Sequence, residues 1–200
     1  MIKKIYYAIA NLLYRYQVAS LGKKCRLRMN GRVIGGAYVH LADNVEIEKN
    51  WIIAVYPEFG GSDNPVKINS STKGVWIEEG ASFNRNLTIY CADSVRIGKN
   101  VLFGSGVLVS DNDHGMDAGL EIPFRFQKLE TSSVEIGDNC WIAEDAKILR
   151  GTKIGRNSIV AAGAIVKGEY PEYSLIAGIP AKVIKTWNFE SKKWERVLRE

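Results

Sequence analysis

The sequence predicts an all-β chain wound as a coil with three flat faces, and three observations carry that prediction. The first is an unbroken six-residue period. From Ile136 the chain divides as IGDNCW, IAEDAK, ILRGTK, IGRNSI, VAAGAI and VKGEYP, which puts an aliphatic residue at positions 136, 142, 148, 154, 160 and 166. The second is a companion column of small residues five places into the repeat: Cys140, Ala146, Thr152, Ser158 and Ala164. The third is the same register upstream, at Leu41, Ile47 and Ile53, at Ile77, Phe83 and Ile89, and at Ile97, Phe103 and Val109. A period of six is neither that of a helix nor that of an alternating strand. It suits a short strand plus a turn, with the aliphatic residue inside and the small residue near the crowded corner. Three such units close a coil of about 18 residues, and coils must stack to bury a common core.

The remaining elements follow in chain order. Residues 1–21 open MIKKIYYAIANLLYRYQVAS, with apolar residues at Ile2, Ile5, Tyr6, Ile9, Leu12, Leu13 and Tyr16. That spacing predicts an amphipathic helix. Arg15 and the tyrosines interrupt it too much for a signal peptide, and it is too short to span a bilayer. Two placements are open: packing on the body of the protein or across a subunit interface, or lying on the inner face of a membrane with Lys3, Lys4 and Arg15 near anionic lipid. Residues 22–187 form the repeat domain, with breaks expected near 56–65, 90–94 and 111–133. The charged segment 188–200, NFESKKWERVLRE after Trp187, lacks the period and is expected to be a short helix covering the last coil, with Trp187 and Trp194 as the cover.

Composition narrows the class. Hydrophobic residues at 46% and charged residues at 24% match an ordinary folded soluble domain. The net charge of +5 admits nucleic acid, anionic lipid or a phosphorylated small molecule. Nucleic acid is disfavoured, because no basic run carries interleaved aromatics. Cys25, Cys91 and Cys140 are odd in number and widely spaced, so neither a zinc ribbon nor a disulfide framework is indicated. A reducing cytoplasm is the simplest location.

Two histidines are present. His40 sits in a repeat strand, YVHLAD, and reads as structural. His114 lies in SDNDHGMDAG at the start of the longest break. Polar, glycine-bearing loops on a rigid scaffold are where sites are usually built.

The repeat pattern resembles the hexapeptide-repeat transferases across roughly residues 35–187, and the resemblance is closest to the polysaccharide, maltose and galactoside O-acetyltransferases. It implies a left-handed parallel β-helix, an exception to the right-handed crossover rule. The segment NLTIYCADSVRIG, from Asn86, looks like the strand that precedes the catalytic loop in those enzymes. The resemblance therefore implies that His114 is the general base, against a plain loop histidine, and that Asn86 contacts the acceptor or active site, against a structural role at a turn. Asp111 and Asp113, in the same loop, are assigned to the acceptor side, where either would orient the imidazole or raise its basicity, with solvation or capping of the loop as the plainer alternative. The motif AGIPAKVIK closes a stretch similar to the family's coenzyme-A-binding end. By motif position Ala143, Glu144 and Ala162 line the pantetheine groove. Lys167, Lys182 and Lys185 match basic positions suited to its phosphates, with solvated surface charge as their alternative. Ala143 and Glu144 depart from the family's more usual residues there.

The implied activity is transfer of acetyl from acetyl-CoA, as co-substrate, to a sugar hydroxyl in cell-surface polysaccharide biosynthesis. No metal is required. The implied assembly is a homotrimer with sites between subunits, and the implied partner is a carbohydrate acceptor. An N-acyltransferase acting on an amino sugar or nucleotide sugar is the nearest alternative, though such enzymes commonly carry a further nucleotide-binding domain. Antibiotic acetylation is a lesser one. A zinc hydratase on this fold needs three histidines, one more than the chain has. A non-catalytic β-helix scaffold would need neither His114 in a loop nor the AGIPAKVIK end. Phe124, Arg125, Phe126 and Gln127 are expected to help shape the acceptor pocket.

Overall fold

The computed structural model describes residues 2–57 and 73–197, with side chains from residue 5 onward in that span. The chain winds through three faces in turn, each a stack of short parallel strands. The first face holds Ser20–Leu21, Val39–Leu41, Gly74–Ile77, Ser94–Ile97, Val134–Ile136, Lys153–Ile154 and Glu169–Tyr170. The second holds Arg26–Leu27, Glu46–Ile47, Ser82–Phe83, Leu102–Phe103, Trp141–Ile142, Ile159–Val160 and Ser174–Gly178. The third holds Arg32–Ile34, Ile52–Val55, Thr88–Cys91, Leu108–Ser110, Lys147–Ile148 and Ile165–Val166.

The six-residue period maps directly onto this prism. Phe83, Phe103, Ile142 and Val160 stack in register inside the second face, while Ile89, Val109, Ile148 and Val166 do so inside the third, all buried. Phe83 and Phe103 lie with ring centroids 4.5 Å apart. The fifth-position small residues Cys140, Ala146, Thr152, Ser158 and Ala164 are buried just before each strand. Neighbouring coils share backbone hydrogen bonds there, as from Trp141 N–H to Ser158 O at 2.9 Å.

Two corners turn tightly through left-handed backbone. Between the first and second faces the residue is most often Asn (Asn44, Asn100, Asn139 and Asn157), with Lys24, Gly80 and Tyr173 at the other coils, and between the second and third it is Asn50, Asn86, Gly106, Asp145 or Gly163, all with φ between about +54° and +74°. Asn and Asp tolerate that region best among residues with a Cβ. The third corner carries the excursions. The expected break at 56–65 falls largely outside the described residues. The one at 90–94 is only a two-residue turn, Ala92–Asp93, between Thr88–Cys91 and Ser94–Ile97. The one at 111–133 is a true protrusion. Its base is an antiparallel pair, Asn112–Asp113 with Glu130–Thr131, and its return path includes a 3-10 turn at Phe124–Phe126.

Helix α1 (Ile2–Arg15) packs on the first coil. Tyr14 is buried against Trp51, its hydroxyl donates to Arg28 O at 2.9 Å, and Gly31 N–H donates to it at 3.1 Å. Gly31 allows that approach, since a Cβ there would stand 1.8 Å from the Trp51 ring.

The expected C-terminal helix over 188–200 is corrected. Ala181–Asn188 pairs antiparallel with Ser174–Gly178, and Lys193–Arg196 pairs with it in turn. The reason is local. The Asn188 side-chain oxygen accepts from Glu190 N–H at 2.8 Å and Ser191 N–H at 3.0 Å, which nucleates a turn. Trp187 and Trp194 then face each other across the pair, ring centroids 5.6 Å apart. The hairpin satisfies the free edge of the second face, which a helix would leave unpaired.

Candidate active site

His114 is held by the base of the protruding loop at the third corner. Asp111 comes immediately after the third-face strand and is fully buried, at 0% exposure. Its carboxylate accepts from Ala92 N–H at 2.7 Å, Asp93 N–H at 2.8 Å and the Asn112 side-chain amide at 2.9 Å. Its carbonyl accepts from Ser132 N–H at 2.9 Å. Asp111 therefore ties the outgoing and returning strands of the loop to the turn of the preceding coil. Burial and three occupied hydrogen bonds favour the capping alternative over a place on the acceptor side and make it a structural pin. Asp113 pairs with Arg150 at 2.5 Å, and Arg150 also reaches Glu130 at 2.6 Å. Asp113 and Glu130 are cross-strand partners, so Arg150 clamps both strands at once. The Asp113 carboxylate is thus turned to the clamp.

Within the loop, Gln127 is buried and acts as an internal brace. Its amide donates to Asp117 O at 2.9 Å and Ile122 O at 3.0 Å and accepts from Asp117 N–H at 3.0 Å. Phe124 and Phe126 are exposed, with the Arg125 guanidinium 4.2 Å from the Phe126 ring centre.

His114 opens onto a cavity of about 300 Å³ lined also by Tyr56, Tyr90, Asn112 and Leu129. The Tyr56 and Tyr90 rings lie 6.4 Å apart on the outer surface of the third face. Two aromatic planes, an amide and an imidazole form a concave spot that suits a hydroxylated ring. A larger concavity, about 630 Å³, lies on the outside of the first face. Its wall is an in-register column of Trp76, Arg96, Glu135, Lys153 and Glu169, charges alternating along it. His114 does not reach it, and its lining includes no histidine.

The expected cofactor residues divide into groups. Ala143, Glu144 and Ala162 sit at the corner between the second and third faces, as does Asn86. Glu144 O there accepts from Gly163 N–H at 2.8 Å, and Ser105 O from Asp145 N–H at 2.8 Å. Asn86 is an exposed left-handed corner residue, bonded to Asn50 at 3.3 Å. His114 is at the opposite edge of the third face. From that corner the chain crosses the third face through Lys147–Ile148 before it reaches Arg150, the anchor of the His114 loop, at the next corner. One chain therefore does not bring His114 together with Asn86, Ala143, Glu144 or Ala162. Lys167 lies at the same corner as His114, two coils on. Lys182 and Lys185 are on the C-terminal hairpin, where Lys185 stands directly opposite Arg196. Like charges in that position repel, and an anion between them would relieve it. Arg196 and Arg150 carry no sequence signal of these roles: Arg196 falls in the segment expected to be helical, and Arg150 has the pattern of an outward repeat residue.

The other titratable groups are structural. His40 stacks on Trp76 at 3.8 Å, its Nδ1 is 3.1 Å from Ser20 Oγ, and burial lowers its pKa. Cys25, Cys91 and Cys140 are buried free thiols. Burial raises the pKa of all three, that of Cys140 to about 11, which keeps them protonated and unreactive. Among the described residues no three His, Cys, Asp or Glu side chains are grouped to hold a metal ion.

Known proteins place this geometry in a class. The family model for the bacterial transferase hexapeptide (six repeats) matches residues 133–168. WbbJ of Escherichia coli K12, provisionally named a lipopolysaccharide biosynthesis O-acetyl transferase, is 35% identical over 66% of this chain and 70% of its own. The galactoside O-acetyltransferase of the same organism is 34% identical over 56% of this chain and 53% of its own. A crystal structure of a point mutant of AntD, an N-acyltransferase from Bacillus cereus, superposes with a TM-score of 0.71 at 17% identity, covering 88% of this chain and 87% of that one. That structure holds dTDP-4-amino-4,6-dideoxyglucose and coenzyme A. The chain belongs to the hexapeptide-repeat acyltransferases, left-handed parallel β-helix enzymes, and is an acetyltransferase of that family.

Proposed function

We infer that the protein transfers acetyl from acetyl-CoA to a hydroxyl of a sugar in cell-surface polysaccharide synthesis, with His114 as general base. The observation that carries this reading is the cavity where His114 meets Tyr56, Tyr90, Asn112 and Leu129. The sugar ring lies on the tyrosines with one hydroxyl against the imidazole. The imidazole takes the hydroxyl proton as the oxygen attacks the thioester carbonyl carbon. Collapse of the tetrahedral intermediate breaks the carbon–sulfur bond, and the imidazolium returns the proton to the departing thiolate. Histidine suits both steps because its side-chain type exchanges protons near neutral pH.

The thioester comes from a second subunit. Its pantetheine lies along the corner of Ala143, Glu144 and Ala162, and that corner is the width of a face away from His114 within one chain. A homotrimer places the corner of one chain beside His114 of the next, giving three sites. Lys182, Lys185 and Arg196 hold coenzyme A phosphate on the hairpin, and Lys167 supplies a further cation.

The test is release of coenzyme A thiol from acetyl-CoA with free sugars, nucleotide sugars and lipid-linked glycans as acceptors. Turnover should require a hydroxyl acceptor and fall about 10²–10⁴-fold in His114→Ala. Turnover restricted to amino sugars would shift the reading to N-acylation, the chemistry of the AntD acceptor. Full activity in His114→Ala would end it.

A further inference from the structure

Helix α1 turns its apolar side away from the protein. Ala10 and Tyr14 are buried on the first coil, and the Asn11 side-chain amide donates to Cys25 O at 2.7 Å, so that side is committed. Ile5, Ile9, Leu12, Leu13 and Tyr16 lie on the other side, each about half exposed or more. At the helical rotation per residue these five fall within an arc of about 100°. A helix serving only to cap the coil would bury such an arc rather than present it.

Charge decides what covers it. The first 42 residues contain eight Lys and Arg and no Asp or Glu, Asp43 being the first acid. The rest of the chain has 19 basic and 22 acidic residues. The positive excess of the protein is therefore concentrated at the end of the prism that carries α1. Arg26 and Arg28 pair sideways with Glu46 and Glu48, while Arg15, Lys23 and Lys24 are exposed around the helix. A second copy meeting this end would press two like-charged surfaces together. An anionic bilayer satisfies both the arc and the charge. At 14 residues the helix is about 21 Å long, short of a hydrocarbon core of about 30 Å. Among the described residues no helix is long and apolar enough to cross a membrane.

We propose that α1 is an interfacial anchor that seats the protein on an anionic lipid surface, its five outward apolar residues in the headgroup boundary and its basic rim against the lipid charge. The anchor does not depend on the acceptor or on the trimer.

The experiment is co-sedimentation of the full chain with vesicles of phosphatidylcholine alone and of phosphatidylcholine with phosphatidylglycerol. The protein should pellet with the anionic vesicles, less so as salt rises. Combined Ile5→Gln, Ile9→Gln and Leu12→Gln should lower the partition coefficient about tenfold or more. Arg15→Gln with Lys23→Gln should reduce the preference for anionic over neutral vesicles. Both variants should keep the melting temperature and the acetyl-CoA turnover on a soluble acceptor, which separates this test from that of the reaction. No pelleting with anionic vesicles, or pelleting unchanged in the triple variant, overturns the proposal. So does a lipid-free doubling of mass that the triple variant abolishes, which would make a second copy the occupant.

Discussion

Asp111→Asn isolates the pin beneath the loop that carries His114. The carboxylate accepts three hydrogen bonds at 2.7–2.9 Å while fully buried. An amide of the same shape can keep its oxygen toward Ala92 N–H and the Asn112 side chain. Its NH₂ group then faces Asp93 N–H, where two donors meet and one charge-assisted bond is lost. Such a bond contributes about 1.5–3 kcal/mol, and leaving a buried donor unsatisfied adds a cost of similar size. Relief of the buried charge offsets part of this, so the net loss is about 2 kcal/mol. For a chain of this length that lowers the melting temperature by about 4–8 °C. The assay is thermal unfolding followed by circular dichroism at fixed protein concentration, since assembly makes the midpoint concentration-dependent. An unchanged midpoint would show that the carboxylate does not hold the turn and return strand together, and would reopen its place on the acceptor side.

Arg150→Met should release both strands of the loop base while keeping most of the packing. Because Asp113 and Glu130 are half-exposed, the clamp contributes only about 1 kcal/mol to stability, yet misplacement of His114 should lower kcat/KM about tenfold or more; paired melting and kinetic measurements separate the two. His40 has a pKa held below its ordinary value by burial, so the unfolded state binds the proton more readily and stability falls as pH drops below about 6.5. His40→Phe keeps the stack on Trp76 and should flatten that part of the stability–pH curve, read from denaturation midpoints between pH 7.5 and 5. Gly104→Ala would put a Cβ 2.5 Å from Glu144 N and 2.8 Å from Ala143 C, both backbone. The coils must part there, and a loss of about 1–3 kcal/mol is expected in chemical denaturation.

The interior of the prism was legible because the repeat is the geometry: a residue every six places can face the axis only if the chain turns every six places. Ile142, Ile148 and Val160 therefore stand where the period put them. The loop that carries His114 was legible as the longest break in the period. What escaped were the features set by partners far along the chain. Arg150 meets Asp113 across 37 residues, and Asp111 meets Ala92 across 19, and neither pairing leaves a local mark. Trp187 and Trp194 suit a helical stripe or a hairpin equally, and the deciding signal was the Asn188 turn. The separation of His114 from Ala143, Glu144 and Ala162 could not be read from spacing, because it depends on which corner of the prism each occupies.

That separation makes the central claim directly testable by co-assembly. His114→Ala lacks the base but keeps the corner, and Ala162→Trp, at an exposed corner position, blocks the groove but keeps the base. Each alone should be nearly inactive. Unfolded and refolded together in equal amounts, they should regain about a quarter of the wild-type specific activity, the share of sites in a random trimer that join an intact His114 to an intact corner. Activity no higher than that of the two variants assayed separately would contradict a site shared between subunits.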